Sequence, residues 1–481
     1  MRAVGHPMAR PFFMLGGLAY LSLLSIALIW IHLPPDTVLV LTAGGIGVVL
    51  LALRPLLAIH AFLALLHVEN VVSTREGLTV MKMVGALVLA SWLLSIAVRR
   101  RIGIRFDAFL VLSLLFLVWS GVSLVYAVDP DQAVRRVLSF AQLVLAALMF
   151  ISVVDTVPRL RTVAWAIVGW TCVSTIVAIA LYYAGATPVA RGLVGDRNLL
   201  AAYINIAIVT AYFLFLTTPN ALARFLLSVS LAIFFLGLAL TFSRGGLLVL
   251  GVGLLAVWYR VARERSFLIL LASAALLCIV SLLLPEAFWY RAASIVPAVK
   301  RQEDTFGLRV KVWQTGLRMI EDRPIAGVGP GNFVVALPRY ARGEVNRLQL
   351  GPHSSYVGIA AELGLVGLAL FLTLHLVALR SAARAARRGA QVNDAELRYL
   401  AVAMEVCIVV SMAVGLSIGF YYSKYLWIFF GLAMGVGRMS PVAPRQQAAA
   451  AGAIEGVPAT APAVGAPFAG VSRVSGGGSR F

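Results

Sequence analysis

The sequence predicts an all-α integral membrane protein. Of its 481 residues, 61% are hydrophobic and 12% are charged, and no water-soluble domain of this length buries so large an apolar fraction. Apolar stretches of roughly 17–25 residues recur along the chain, and each is long enough to cross about 30 Å of hydrocarbon as a helix. Because backbone groups find no water in lipid, these stretches must be helical.

The apolar stretches amount to about 12 to 14 transmembrane helices. The predicted spans are 11–33, 36–53, 56–72, 78–98, 107–128, 133–155, 160–184, 198–216, 223–242, 245–262, 266–284, 355–379, 398–420 and 422–438. The count falls to 12 if the short spans 36–53 and 56–72 do not both cross and if 422–438 continues its predecessor. Cys172, Cys278 and Cys407 each lie inside a span, which excludes a disulfide framework and a CxxC metal site.

Basic residues orient the helices, because Lys and Arg resist translocation. When the spans alternate in direction, several basic connections between them fall on one side of the membrane. They contain Arg99–Arg105, Arg159–Arg161, Arg224, Arg260–Arg265 and Arg380–Arg388. We therefore expect this side and both termini to be cytoplasmic. Residues 1–440 form the predicted membrane domain, and the Ala-, Pro- and Gly-rich residues 441–481 form a predicted disordered cytoplasmic tail.

One large loop, residues 285–354, falls on the outer side and is strongly basic. It contains ten Lys and Arg residues, Arg301, Arg309, Arg342 and Arg347 among them, against six Asp and Glu residues. The planar guanidinium group suits bidentate recognition of phosphate, so a phosphorylated lipid is the natural partner. The alternative is nonspecific contact with anionic headgroups.

Three further arginines lie on the same predicted side. Arg191 and Arg197 precede an apolar span, where the N–H groups of a helix start can help to hold an anion. Arg244 lies between two spans with almost no loop, at or near membrane depth, where an ionisable residue indicates function. Snorkelling to the interface is the structural alternative for Arg244.

His353 is the candidate catalytic residue. It lies where an apolar helix begins, and the positive end of the helix dipole favours a neutral imidazole that can accept a proton. A neutral histidine at the water–lipid boundary is suited to act as general base for a sugar hydroxyl. Tyr356 follows it as a possible substrate-binding residue, and the alternative is a histidine bonded to its own turn.

Other features of the outer side carry weaker predictions. Leu308, Val312, Leu317 and Ile320 recur at helical spacing and predict an amphipathic helix over about 306–322, ended by Pro324 and lying on the membrane surface. The segment Gly327–Asn332 is a glycine-rich turn that could present N–H groups to an anion. Asp129-Pro-Asp131 is interpreted as a turn, and His67 with Glu69 as possible cavity-lining residues.

An ordered set of short motifs resembles the O-antigen ligase and polymerase superfamily. The motifs are Ser243-Arg-Gly-Gly246, Arg309-Val-Lys-Val-Trp313, Pro324-Ile-Ala-Gly-Val-Gly-Pro-Gly-Asn-Phe333, and Pro352-His-Ser-Ser-Tyr-Val357 running into Glu362-Leu-Gly-Leu-Val-Gly367. Family members often have Asn after the motif histidine, where this chain has Ser354. The resemblance covers roughly residues 190–375.

The resemblance implies a metal-independent, C-type glycosyltransferase without a cofactor, in the bacterial inner membrane, with its active site facing the periplasm. The donor it implies is O-antigen linked to undecaprenyl diphosphate, the acceptor is lipid A–core oligosaccharide, and nucleic acid is not a partner. Carried over to this chain, Arg191, Arg244 and Arg309 would hold the diphosphate and His353 would deprotonate the acceptor hydroxyl. Direct displacement by that hydroxyl would invert the anomeric centre.

Four functions remain open at this point. An O-antigen ligase is the first choice. An O-antigen polymerase uses the same donor but takes another lipid-linked repeat as acceptor. A protein O-oligosaccharyltransferase is third, because no large folded domain follows the last span. A transporter of lipid-linked glycan would place paired ionisable residues in mid-membrane, whereas the charge here gathers on one side.

Overall fold

A computed structural model describes a large part of the chain. The described residues are 54–72, 85–86, 88–93, 96, 105–261, 305–341 and 351–440. The predicted spans 11–33, 36–53 and 266–284, the predicted tail 441–481, and the candidates Arg301, Arg342 and Arg347 lie outside these residues, and the span 78–98 is only partly inside them.

The regular structure of the described residues is helical throughout. The α-helices are α1 (Pro55–Val72), α2 (Ala108–Val122), α3 (Pro130–Val153), α4 (Val157–Tyr183), α5 (Arg197–Thr217), α6 (Ala221–Leu240), α7 (Arg244–Val261), α8 (Thr305–Asp322), α9 (Phe333–Tyr340), α10 (Ser355–Gln391), α11 (Ala395–Ser417) and α12 (Lys424–Arg438). Residues 85–86, 88–93 and 96 are also helical, and there are two 3-10 turns, Ser123–Tyr126 and Phe420–Tyr422; the described residues form no strand.

Eight of the described helices are long and apolar enough to cross a membrane: α2 with its 3-10 extension, α3 to α7, α10 and α11. The prediction of an all-α integral membrane protein is confirmed. The 3-10 turn Phe420–Tyr422 separates α11 from α12, so 398–420 and 422–438 are two helices and not one. Asp129 caps α3 by accepting from the Gln132 N–H at 3.0 Å, which agrees with the turn predicted there.

The core of the bundle lies around α5, α10, α11 and α12. Helix α12 is buried from Tyr425 to Val436, and α5 is buried along most of its length. By contrast, α2 and α6 leave large apolar side chains exposed, such as Val118 and Phe225. Exposed apolar residues on the outer helices of a membrane bundle are the expected contacts with lipid.

The connections of the bundle lie at two ends. The segments 184–196, 241–243, 351–354 and 418–423 lie at one end, called here the site end. The segments 154–156, 218–220, 392–394 and 439–440 lie at the other, called here the opposite end. Backbone contacts such as the Ala190 N–H to the Leu240 carbonyl, 2.8 Å, join the loops of the site end.

Helix α10 is broken at Gly364, whose φ of 69° and ψ of −175° are not helical. The break leaves three carbonyls without helical partners inside the bundle. The Val328 N–H bonds the Ala361 carbonyl at 2.8 Å, the Gly329 N–H bonds the Glu362 carbonyl at 2.9 Å, and the Trp119 indole bonds the Leu363 carbonyl at 2.8 Å. Each unpaired carbonyl would otherwise cost about 1–3 kcal/mol.

The glycine-rich segment therefore has a structural role at the break in α10. Gly327, Gly329 and Gly331 all have positive φ, and a Cβ on Gly327 would lie 2.4 Å from the Glu362 carbonyl carbon. Two of its N–H groups are already bonded to carbonyls of α10. The suggestion that this turn presents N–H groups to an anion is corrected, because those of Val328 and Gly329 are occupied.

The predicted amphipathic helix is confirmed as α8, Thr305–Asp322. Its buried row contains Val312 and Met319, which pack with α9. Leu317, predicted on this row, is 51% exposed, so Met319 takes the buried position instead. Gly316 allows α8 to approach α10, because a Cβ there would lie 2.5 Å from Val357 Cγ1.

Candidate active site

Two helices begin side by side at the site end, and each begins with an arginine. Asp196 caps α5 by accepting from the Asn198 and Leu199 N–H groups, both at 2.8 Å, so that Arg197 is the first helical residue. The Ser243 hydroxyl accepts from the Gly246 N–H at 3.1 Å and places Arg244 at the start of α7. The same hydroxyl donates to the Asn198 side chain at 2.8 Å, which ties the two helix starts together.

The glycines of the Ser243–Gly246 motif set how closely α7 approaches its neighbours. A Cβ on Gly245 would lie 3.0 Å from the Ser417 hydroxyl of α11. A Cβ on Gly246 would lie 2.7 Å from the Ala201 methyl group of α5. Small residues let membrane helices pack backbone to backbone, and here this packing brings the start of α7 against α5 and the end of α11.

Arg309 reaches this place from α8. It donates to the Ser417 carbonyl, 3.1 Å away, at the C-terminus of α11, where a helix dipole favours a cation. Its pKa is lowered first by burial and then by the positive charges of Arg197 and Arg244, while Asp196 acts in the opposite direction. The structure therefore brings Arg197 and Arg244 within electrostatic range of Arg309.

These three arginines are called here the arginine cluster (Arg197, Arg244 and Arg309). Their electrostatics favour a bound anion. Three guanidinium groups act together with the positive ends of α5 and α7, and Asp196 is the acid that acts on Arg309. Anions bind favourably at helix N-termini, where backbone N–H groups and the helix dipole present positive charge. Guanidinium groups bind phosphate oxygens in pairs, so the cluster suits a group with several phosphate oxygens.

His353 lies beside the arginine cluster, where α10 begins. Burial lowers the pKa of His353, Arg309 lowers it further, and Asp196 raises it. The neutral imidazole expected from the sequence is therefore supported, but its largest cause is burial and not the helix dipole. The backbone of His353 has a φ of 46°, a left-handed conformation that non-glycine residues rarely adopt and that often marks a functional site.

Ser354 is the N-cap of α10, and its hydroxyl accepts from the Val357 N–H at 3.4 Å. Asn and Ser are about equally good at this position, because either side chain can bond an N–H group of the first turn. The departure from the family pattern at Ser354 thus preserves a cap.

Other residues predicted for the site occupy different places. Arg191 is exposed in the loop 184–196, which precedes α5. It is not among the charges that shift the pKa of Arg309 or His353. The Tyr356 hydroxyl donates to the Met412 carbonyl at 2.8 Å, which joins α10 to α11.

His67 lies inside the bundle and does not line an outer cavity. It is 1% exposed, and its ring nitrogens lie 3.0 Å from the Leu63 carbonyl and 3.1 Å from the hydroxyls of Thr171 and Tyr425. These contacts join α1, α4 and α12. The side chain of Glu69 lies outside the described part of α1.

Sequence reasoning missed three contributors to the site. Asp196 caps α5 and acts on both Arg309 and His353, Ser417 supplies the carbonyl that Arg309 binds, and the Trp313 indole donates to the Pro352 carbonyl at 3.0 Å. An Asp directly before an apolar span is an N-cap signal, so Asp196 was accessible from the sequence. The other two contacts join segments distant in the chain. In the described residues, no group of three or more His, Cys, Asp and Glu side chains has the arrangement of a metal site.

Comparison with known families connects this site to a reaction class. Residues 229–372 match the family model described as O-antigen ligase. The matched region contains Arg244, Arg309 and His353, whereas Arg197 lies before it. The resemblance to the O-antigen ligase and polymerase superfamily is confirmed by this match. No protein of curated function matches the chain.

Proposed function

We propose that this chain, which carries the O-antigen ligase region of a ligase and polymerase superfamily, is an O-antigen ligase. It would transfer O-antigen polysaccharide from undecaprenyl diphosphate to lipid A–core oligosaccharide at the periplasmic face of a bacterial inner membrane. The observation that carries the proposal is the placement of three arginines and one histidine of lowered pKa at one end of an all-helical membrane bundle.

In the proposed reaction, His353 takes the proton of an acceptor sugar hydroxyl. The hydroxyl oxygen then forms a bond to the anomeric carbon of the donor sugar as the bond from that carbon to the diphosphate oxygen breaks. The electron pair leaves with the diphosphate, and the arginine cluster stabilises the developing charge. A single displacement inverts the anomeric centre.

The proposed reaction draws its positive charge from guanidinium groups and does not require a divalent ion. Purified protein supplied with lipid-linked donor and core acceptor should therefore retain its turnover in EDTA, with the glycolipids kept dispersed in detergent. Complete loss of turnover that a divalent ion restores would contradict this part of the proposal.

The glycolipids of a deletion strain distinguish a ligase from a polymerase. A strain that lacks the ligase should accumulate long glycan on the undecaprenyl carrier and carry lipid A–core without O-antigen. A strain that lacks the polymerase should carry single repeats on lipid A–core. The second pattern would replace the proposed acceptor with another lipid-linked repeat and leave the donor chemistry unchanged.

The orientation of the bundle is a separate part of the proposal. Ala186 is exposed at the site end, and Arg387 is exposed near the opposite end of α10. In a variant without native cysteines, Ala186→Cys should react with a membrane-impermeant maleimide in spheroplasts, and Arg387→Cys should react only after the cells are lysed. The reverse result would place the arginine cluster in the cytoplasm and remove the proposed function.

A further inference from the structure

Trp313 contacts the backbone next to the proposed base. Its indole N–H donates to the Pro352 carbonyl at 3.0 Å, and Pro352 directly precedes His353. The bond therefore fixes the peptide from which the His353 side chain extends.

The backbone of His353 needs support from both sides. A φ of 46° at a non-glycine residue persists only where the surrounding contacts hold it. On the C-terminal side, the Ser355 hydroxyl donates to the Ile418 carbonyl at 3.1 Å and accepts from the Phe420 N–H at 2.8 Å. On the N-terminal side, the Trp313 indole holds Pro352.

Helix α8 joins this support to the arginine cluster. Arg309 and Trp313 are four positions apart, so they project from the same side of α8 one turn from each other. Arg309 bonds the end of α11, and Trp313 bonds the chain before α10. The close approach of α8 and α10 at Gly316 and Val357 makes the helix a rigid connection between the two contacts.

We infer that Trp313 is a positioning residue that holds His353 in place for catalysis, and that α8 sets the distance between the donor diphosphate and the base. This inference rests on the proposed function and names a residue that acts on the proposed base through the backbone. Trp313 acts through the Pro352 carbonyl, so its loss should affect turnover more than donor binding.

The test removes the indole N–H and keeps the aromatic ring. Trp313→Phe should lower kcat about fivefold to tenfold, the effect of one lost hydrogen bond, with the KM for the donor nearly unchanged. Replacement of Trp313 by 3-benzothienylalanine removes only the N–H and keeps the shape, so it serves if the phenylalanine variant folds poorly. Trp119→Phe is the matched control, because its indole donates to another α10 carbonyl, that of Leu363, at 2.8 Å.

A second measurement follows His353 without relying on turnover. Diethyl pyrocarbonate modifies neutral imidazole, and peptide mass spectrometry gives the rate at His353 as a function of pH. In both Trp313 variants the rate should rise, and its midpoint should move toward the ordinary histidine pKa as the ring gains solvent. Trp119→Phe should leave both the rate and the midpoint at wild-type values.

Three outcomes decide the matter. The inference is overturned if kcat and the modification rate of His353 are both unchanged in the two Trp313 variants. It is also overturned if Trp119→Phe changes kcat and the modification rate equally, since that would show a general loosening of α10. If His353→Gln keeps wild-type turnover while the Trp313 variants still alter the modification of His353, positioning by Trp313 stands and the base role in the proposed function fails.

Discussion

Arginines at the two ends of the bundle have different neighbours. At the opposite end, four arginines each pair with a carboxylate: Arg159 with Asp155, Arg161 with Glu396, Arg260 with Glu405, and Arg438 with Asp107. At the site end, Arg197 and Arg244 both lower the pKa of Arg309, and Asp196 raises it.

The difference distinguishes arginines that join segments of the protein from arginines that are suited to bind a ligand. An arginine paired with its own carboxylate joins two segments and needs no ligand, and such pairs contribute little where solvent reaches them. Arginines placed at helix N-termini oppose the helix dipole and repel each other. Three arginines that converge beside two helix N-termini are suited to phosphate oxygens, so we propose that a phosphorylated substrate binds at this end of the bundle.

The largest expected effect tests His353 as a base. His353→Gln keeps a polar side chain but cannot take a proton at neutral pH, so turnover should fall by about 10²–10⁴-fold while expression and donor binding stay near wild type. Initial rates with purified protein and lipid-linked donor measure this loss of turnover. Turnover above about a tenth of the wild-type rate would remove the base role, because general-base catalysis is worth more than that.

The control for this variant is a second histidine of the same helix. His375 is buried within α10 and packs against Phe371 and Phe430 with ring centroids 4.5 and 4.7 Å away. His375→Gln should lower the thermal stability and leave the turnover of the folded protein close to wild type. A comparable loss in both variants would attribute the effect at His353 to packing.

The next effect compares arginines from the two ends. Arg244→Lys keeps the charge but loses the bidentate phosphate contact, so turnover should fall by about 10- to 100-fold with unchanged membrane abundance. Arg161→Lys, in the ion pair with Glu396, should leave turnover near wild type. Arg191→Lys should fall between them, since Arg191 lies in the loop before α5 but does not shift the pKa of Arg309 or His353. Equal rates for Arg244→Lys and Arg161→Lys would reduce Arg244 to an anchor.

A glycine pair tests whether the site end depends on the break in α10. In Gly364→Ala, the new Cβ would lie 1.9 Å from the Ile325 carbonyl oxygen at a φ of 69°, so the unfolding free energy should fall by at least about 1–2 kcal/mol. Gly169→Ala in α4 is the control, because no atom lies within 4 Å of its Cβ. Thermal unfolding in detergent measures both variants, and equal stabilities would show that the break is not needed.

The smallest effect is a displaced pH profile. His353 accepts a proton only when neutral, so kcat/KM should fall as the pH drops through its pKa. Because burial and Arg309 lower that pKa, the acidic limb should lie below pH 6.5, the ordinary value. Asp196 raises the pKa of His353, so the Asp196→Asn variant should have its acidic limb at a still lower pH. A limb at or above pH 6.5 would show that another group controls the rate.

Local patterns predicted much of the architecture. Hydrophobic runs located α1 to α7 and α10 to α12, and helical spacing with a terminating proline placed α8 within a residue of its observed bounds. The short helix α9 was not predicted. Leu317 was misplaced because Met319 also fits a helical repeat and packs more deeply. The break in α10 was not predicted, because Gly364 is one glycine among several and the contacts that require it come from residues about forty positions earlier.

The candidate site was predicted in composition more than in geometry. Arg244, Arg309 and His353 were identified individually, but the sequence ranked Arg191 above Arg197. The N-cap at Asp196 makes Arg197 the first residue of α5, where it lowers the pKa of Arg309, and leaves Arg191 in the preceding loop. A glycine-rich turn can present its N–H groups to an anion or to a buried carbonyl, and the sequence does not distinguish these two roles. The bonds to the carbonyls of α10 show that this turn has the second role.

The bond from Arg309 to the Ser417 carbonyl has a consequence for biosynthesis. The two residues are 108 positions apart, and Ser417 ends a helix that follows α8 in the chain. Ribosomes deliver the chain from its N-terminus, so Arg197 and Arg244 enter the membrane well before the carbonyl that Arg309 binds. A nascent chain that stops before α11 therefore contains all three arginines but lacks the carbonyl that binds Arg309, so we expect the arginine cluster to form only after α11 has been inserted.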